Sequence, residues 1–309
     1  MIKQFRHQDI TWIDAINPSK EELSKLTKDY GIHSLVETEL SSPSLRSRVD
    51  LYENYLYLIL HFPTCQSCSS DKTKITPKTE EIDFILSDKF LITIHYEPIQ
   101  ALEEFGQIFE ANFSLDENKN KKHAGYLFSY ILTSIYRLLD TNLDIISTDL
   151  TKAETKIFSG QEKAMVLVLS DINRELLNFM WILKSHKATL SSLERALTDL
   201  FKDELNYHFA SLRHTYDRVY TQAVNLRELY LELRNTNESL LTIKTNEIMK
   251  TLTIMAFITF PLTVFTSTFG MNTINTPIIG SPNDFWIIIV IMLGAVTFMF
   301  SFFRYKNWI

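Results

Sequence analysis

Hydrophobic and polar positions divide the chain into three regimes. From residue 251 to residue 303 the pattern is almost purely apolar, and Asp284 is its sole ionisable side chain. Two uninterrupted runs lie there: 251–269 (TLTIMAFITFPLTVFTSTF) and 285–303 (FWIIIVIMLGAVTFMFSFF). Each has 19 residues, which at about 1.5 Å per residue matches a hydrocarbon core about 30 Å thick. Soluble cores rarely contain two such uncharged runs back to back, so two membrane-spanning helices are expected at about 251–269 and 285–303.

Upstream, from about Lys121 to Lys250, the pattern is helical. There are no prolines, and apolar residues recur at steps of three and four, as in Leu127, Ile131, Ile135, Leu138 and Ile145. Ser159-Gly160 predicts a break, and a second helix follows to about Lys187. A third is expected from near Ser191, with no breaker before Pro261. It would run straight into the first span as one helix of roughly 70 residues, on the order of 100 Å. A helix that long needs packing partners, which points to a helical bundle or an oligomer.

Residues 1–115 mix signals. Asn17-Pro18 followed by SKEELSKLTKDYG predicts a helix start, an amphipathic run and Gly31 as terminator. VDLYENYLYLILHF (49–62) reads as one strand. Residues 81–86 and 90–96 read as two strands around a Ser87-Asp88-Lys89 turn. A small sheet with flanking helices follows. The expected fold class is an α+β membrane protein with an N-terminal α/β domain over 1–115, a helical bundle and stalk over 116–250, and a transmembrane domain over 251–309.

Charge sets the orientation. Lys244 and Lys250 precede the first span, Arg304 and Lys306 follow the second, and the connecting loop 270–284 has neither Lys nor Arg. The positive-inside rule puts both termini in the cytoplasm. Trp286 and Trp308 bracket the second span as interfacial anchors. Residues 1–12 are charged and mixed, with no apolar core of a signal peptide, so no cleaved leader is expected.

Most catalytic and binding chemistry is excluded. Cys65 and Cys68 form a C-x-x-C, but they are the only cysteines, and a zinc site normally needs a second pair. The residues after them do not open a thioredoxin-like helix, so they belong to a variable polar loop. The eight histidines show no metal-ligand spacing, and seven glycines form no phosphate loop. Acidic residues outnumber basic ones 37 to 31, which argues against nucleic acid. No nucleophile–base pair emerges, so no enzyme and no cofactor are expected. What remains is the first span. At about 100° per residue from Asn246, one stripe collects Met249, Thr253, Ala256, Phe260, Thr263 and Ser267. Such a mixture of small, hydroxyl and aromatic groups suits helix packing or the lining of a pore.

The end of that span decides how the stripe is read. Gly270-Met271-Asn272 follows it at once. This resembles the CorA family of divalent-cation channels, whose signature is Gly-Met-Asn at the outer end of the first of two C-terminal membrane helices. Here Phe269 precedes it where the family more often has Tyr. TWIDAINPSKEELSKL (11–26), YGIHSLVETEL (30–40), RVDLYENYLYLIL (48–60), KTNEIMKTLTIMAFITFPLT (244–263) and the tail Lys306-Asn307-Trp308 are similar to family segments, so the resemblance covers nearly the whole chain.

The resemblance implies a funnel-shaped homopentamer in a bacterial inner (plasma) membrane, passing Mg²⁺, with Co²⁺ or Ni²⁺ as passengers. Its partners are divalent cations, membrane lipid and further copies of itself. It implies a pore lined by Asn246, Met249, Leu252, Ala256, Phe260, Thr263 and Ser267, with Leu252 where the wheel prefers Thr253. Gly270, Met271 and Asn272 would form the filter, with Asn272 amides meeting a hydrated ion, since Mg²⁺ gives up water reluctantly. Transported Mg²⁺ would also act as a regulatory ion at Glu39, but Ser211 stands where the family has the facing acid. The loop TINTPIIGSPND keeps Asp284 as its only acid where the family often has Met-Pro-Glu-Leu, and Phe260 replaces what is often Met. A zinc transporter of the same fold, usually marked by Gly-Ile-Asn, and a non-conducting membrane scaffold are the alternatives.

Overall fold

The computed structural model describes residues 2–7, 9–64, 79–99, 101–106, 123–271, 278–280, 282–306 and 308. Asn272, Cys65 and Cys68 lie outside the described residues. The chain divides into two compact units, Met1–Arg234 and Asn235–Ile309.

The first unit is built on a six-stranded mixed sheet. Its strands are β1 (Ile2–His7), β2 (Ile10–Ile16), β3 (Arg48–Leu51), β4 (Leu56–Pro63), β5 (Thr79–Leu86) and β6 (Phe90–His95), in the order β1-β2-β6-β5-β4-β3. Only the β2–β6 pairing is parallel. β4 reads LYLILHFP with seven of eight positions buried, the continuous apolar run of a strand covered on both faces.

The sheet differs from the sequence pattern in two places. The run 49–62 is not one strand: Tyr52 N–H donates to Tyr55 O at 2.9 Å and closes a tight turn between β3 and β4. A β-rich apolar run hid that turn, because Tyr52 and Tyr55 flank it and stack at 4.7 Å. The β1–β2 hairpin was missing from the sequence reading altogether. β1 (IKQFRH) is an edge strand with much of its surface in water, so it lacks the apolar run that marks β4.

Helices cover both faces. α1 (Lys20–Asp29) opens on a capping box: Glu22 N–H donates to Ser19 Oγ at 3.2 Å, and Ser19 N–H donates to Glu22 Oε2 at 2.8 Å. Gly31, just past its end, takes φ +65°, which glycine adopts without strain. α1 and α2 (Ser34–Glu39) pack on the face formed by Ile13, Tyr57, Ile59, Ile85, Ile92 and Ile94. The opposite face takes two long antiparallel helices, α3 (Ala124–Phe158) and α4 (Glu162–Phe201). Phe84 of β5 meets Phe128 of α3 edge-on at 5.4 Å.

The α3–α4 break lies at Ser159-Gly160, with Gly160 at φ +90°. The next break does not lie where the pattern placed it. α4 runs on through Lys187 and Ser191 to Phe201. The turn comes at Lys202, at φ 55°, followed by one 3-10 turn, Lys202–Leu205. No glycine or proline marks this site, so periodicity alone could not locate it. α5 then runs unbroken from Asn206 to Phe269, 64 residues with Pro261 inside. α6 (Asp284–Tyr305) is the second apolar helix. The last turns of α5 and all of α6 are long and apolar enough to cross a membrane.

Candidate functional site

Within the second unit, α5 shows a sheltered side and an open side. Ile254 is buried, and Ile258, Leu262, Phe265 and Phe269 are half-buried. Their spacing of three and four puts them on one face. α6 has a matching stripe of half-buried Ile288, Met292, Ala295, Val296 and Met299, ending at buried Phe303. Phe257 meets Phe303 edge-on at 6.4 Å, and Trp308 stacks back on Phe303 at 5.8 Å.

The open side carries the residues the sequence singled out. Asn246, Met249, Leu252, Ala256, Phe260, Thr263 and Ser267 are all exposed in the single chain, Phe260 most clearly at 73 %. At about 100° per residue, this stripe lies opposite Ile254 and Ile258, with Asn246 at its margin. Leu252 and Thr253 fall about 50° to either side of its centre line by the same count, so the helix geometry does not choose between them.

The hydroxyls on this helix are partly satisfied from within. Thr263 donates to Thr259 O at 2.9 Å and Thr253 to Met249 O at 2.7 Å. The donor is thus spent on the backbone, while oxygen lone pairs stay available to a water or a hydrated cation. Pro261 lacks an N–H, so the Phe257 carbonyl loses its usual backbone partner.

At the end of α5, Gly270 N–H donates to Thr266 O at 2.9 Å. A Cβ on Gly270 would sit 3.1 Å from that same oxygen, which a larger residue could relieve only by moving the turn. Met271 is exposed. The helix thus ends at Phe269 with its carbonyls, the negative pole of the macrodipole, three residues before Asn272 in the sequence. Asp284, the lone acid of the loop, is engaged by backbone N–H groups: its Oδ2 accepts from Gly280 N–H at 3.2 Å and its Oδ1 from Phe285 N–H at 2.7 Å.

In the first unit, Glu39 closes α2 and is not a free carboxylate. It is ion-paired with Arg48 of β3, which also holds Asp50 at 2.9 Å. Sequence reasoning missed Arg48, although the Arg-Val-Asp opening of β3 was in view. Ser211 lies exposed on α5, and its backbone carbonyl accepts from the Thr215 hydroxyl at 3.0 Å. No hydrogen bond or ion pair joins Glu39 to Ser211 among the described residues, and those residues contain no cluster of three His, Cys, Asp or Glu able to hold a metal ion.

The family model for the CorA-like Mg²⁺ transporter protein matches residues 7–305. The chain belongs to the CorA-like Mg²⁺ transporter family. Among the relatives, the cobalt/magnesium transport protein CorA of Methanocaldococcus jannaschii is 24 % identical over 306 residues, covering 99 % of this chain and 93 % of that protein. The cobalt/magnesium transport protein CorA of Thermotoga maritima is 23 % identical over 304 residues, covering 97 % and 83 %. The complete structure of the Methanocaldococcus jannaschii CorA magnesium transporter superposes with a TM-score of 0.83 at 23 % identity, over 99 % of this chain and 93 % of that one. The CorA fold therefore extends through the soluble unit, the long helix and both apolar helices, and the family is one of transporters rather than enzymes.

Proposed function

We propose that this CorA family member is a divalent-cation channel that carries Mg²⁺, with Co²⁺ and Ni²⁺ as secondary ions, down the electrochemical gradient. Five copies surround one path. The stripe from Asn246 through Met249, Leu252, Ala256, Phe260 and Thr263 to Ser267 faces that path, and Gly270, Met271 and Asn272 form its outer mouth. The membrane is a bacterial plasma membrane, with both termini in the cytoplasm, as the Lys and Arg placement favours.

The observation that carries this reading is the two-sided first span. One face is partly buried, with Phe257 of α5 meeting Phe303 of α6, and the opposite face leaves the Thr263 and Ser267 side chains uncovered within the span, with the Asn246 amide and Met249 thioether just before it. Facing lipid, the remaining oxygen lone pairs of these hydroxyls would go unused, whereas a water-filled axis engages them. The proposed chemistry suits the ion. A ring of neutral Asn272 amides would hydrogen-bond the hydration shell without requiring its removal. The α5 carbonyl ends add negative potential, and the absence of a carboxylate ring lets the ion leave. The membrane potential supplies about 2.3 kcal/mol per elementary charge per 100 mV, hence roughly twice that for a divalent ion. Glu39 serves as a regulatory carboxylate only when released from Arg48.

The test is uptake into proteoliposomes with Mg²⁺, Co²⁺, Ni²⁺ and Zn²⁺ compared. Saturable Mg²⁺ uptake supports the channel. Zn²⁺ uptake without Mg²⁺ uptake would assign the zinc alternative, and no uptake of any ion would mark a scaffold that has kept the fold.

A further inference from the structure

The loop joining α2 to β3, residues 41–47, is tied to the sheet by two side chains. Ser44 N–H donates to Glu81 Oε1 at 2.9 Å and Oε2 at 2.8 Å. His61 faces Glu81 across the β4–β5 pair. Its Nε2 lies 3.0 Å from Ser44 O and 3.2 Å from Glu81 Oε2. Its Nδ1 lies 3.1 Å from Ser47 Oγ, which also accepts from His61 N–H at 3.3 Å. Nε2 faces two acceptors and so carries hydrogen. With a second proton on Nδ1, the ring donates to the loop at both ends and pairs its charge with Glu81. Without that proton the charge is gone, and Ser47 must reverse its hydroxyl to keep any bond.

Burial draws the His61 proton affinity down, but the hydrogen bonds to Glu81 and Ser44 O, with the Glu81 charge, together push it above the usual histidine range. Other titratable and charged groups surround it. Asp83, one pleat along β5, is buried, and desolvation together with the nearby Glu81 charge pushes its pKa well above the usual carboxylate range. Tyr96, also pushed up by burial, Glu80 and Glu97 line a cavity of about 210 Å³ with Ser44, His61 and Glu81. Arg46 is in the loop itself and Arg48 opens β3. Across the sheet, His186 of α4 reaches the His61 backbone oxygen at 2.7 Å, and burial lowers it to about 4, so it stays neutral while His61 titrates.

We propose that His61 is a proton-operated latch on the α2–β3 loop, closed when the ring is charged and loosened when it is neutral. The latch spans the segment between Glu39 and its partner Arg48. A raised pKa makes its stabilisation complete below about pH 6.5 and progressively lost as the pH rises through the folded-state value. This stands whether or not the protein conducts ions.

Hydrogen–deuterium exchange on the full-length protein in detergent tests it, with labelling times scaled to the intrinsic exchange rate at each pH. From about pH 6 to about pH 8.5, protection over 41–47 should fall by roughly tenfold, the scale of one charge-assisted hydrogen bond, while protection over α3 stays constant. Glu81→Gln should show the lowered protection already at the acid end, and His61→Gln should show no pH step. A native loop whose protection is constant across that range would overturn the latch, even if both variants misfold. A His61→Gln variant that keeps the step would overturn it equally.

Discussion

At the scale of single residues, two side chains make opposite uses of burial. Phe260 is a large ring left 73 % exposed in the single chain. It lies nine residues before Phe269, the end of α5, about 14 Å at 1.5 Å per residue. Five such rings around one axis would leave little room for a hydrated ion and would favour dewetting. Phe260→Ala is therefore expected to raise basal divalent flux several-fold; a correctly assembled variant with unchanged flux would remove the constriction from the account. His186 is the reverse case. It is fully buried, with Nδ1 2.9 Å from the Tyr136 hydroxyl and Nε2 2.7 Å from His61 O. Desolvation lowers its pKa to about 4. Between that value and about 6.5 the unfolded chain binds a proton that the folded chain does not, so stability falls as pH drops through this window, by up to about 3 kcal/mol. The apparent thermal midpoint should fall over the same range, and His186→Phe should flatten that dependence. Neither burial nor partner could be read for His186 from sequence. It was one of eight scattered histidines, and its partners stand 50 and 125 positions away.

At the scale of elements, what was legible followed the strength of local signals. The helix start after Asn17-Pro18 with Gly31 beyond its end, Gly160 at the α3–α4 turn and the apolar runs of the spans are local chemistry, and the structure places a helix at Lys20–Asp29, a break at Gly160 and two long apolar helices there. The β3–β4 turn, the β1–β2 hairpin and the break at Lys202 carry no such marker. The wheel of α5 was legible because sheltered and open faces alternate with the helical period, yet Leu252 and Thr253 straddle its centre and stayed ambiguous. Glu39 could be located, but its engagement by Arg48 depends on bringing α2 beside β3, which sequence spacing does not reveal. That engagement and the neutral Ser211 together argue for weak closure by cytosolic Mg²⁺, because a hard cation binds where several carboxylate oxygens converge. Flux measured against cytosolic-side Mg²⁺ should show shallow inhibition in the native protein and roughly tenfold stronger inhibition in Ser211→Asp, one added charge-assisted contact. Strong native inhibition abolished by Glu39→Ala would show a working site without the second acid.

At the scale of the whole molecule, the single chain leaves large apolar side chains of α5 uncovered. Ile243, Ile248 and Met249, just before the first span, are 53, 68 and 55 % exposed. Within the apolar run of α5, Thr263 spends its donor on Thr259 O, but its oxygen lone pairs and the Ser267 hydroxyl on the open face would meet no partner in lipid. Association of several first spans around one axis answers both. Mass measurement in mild detergent is expected to give five chains, and a stable monomer or dimer would contradict that assembly.

The central claim is that hydrated divalent ions pass the end of α5 by way of Asn272. The most direct measurement is Mg²⁺ uptake into proteoliposomes under an inside-negative potential, for the native protein and for Asn272→Ala matched in assembled size. The account predicts uptake that grows with the potential in the native protein and falls to background in the variant. Native-level uptake by assembled Asn272→Ala would contradict it.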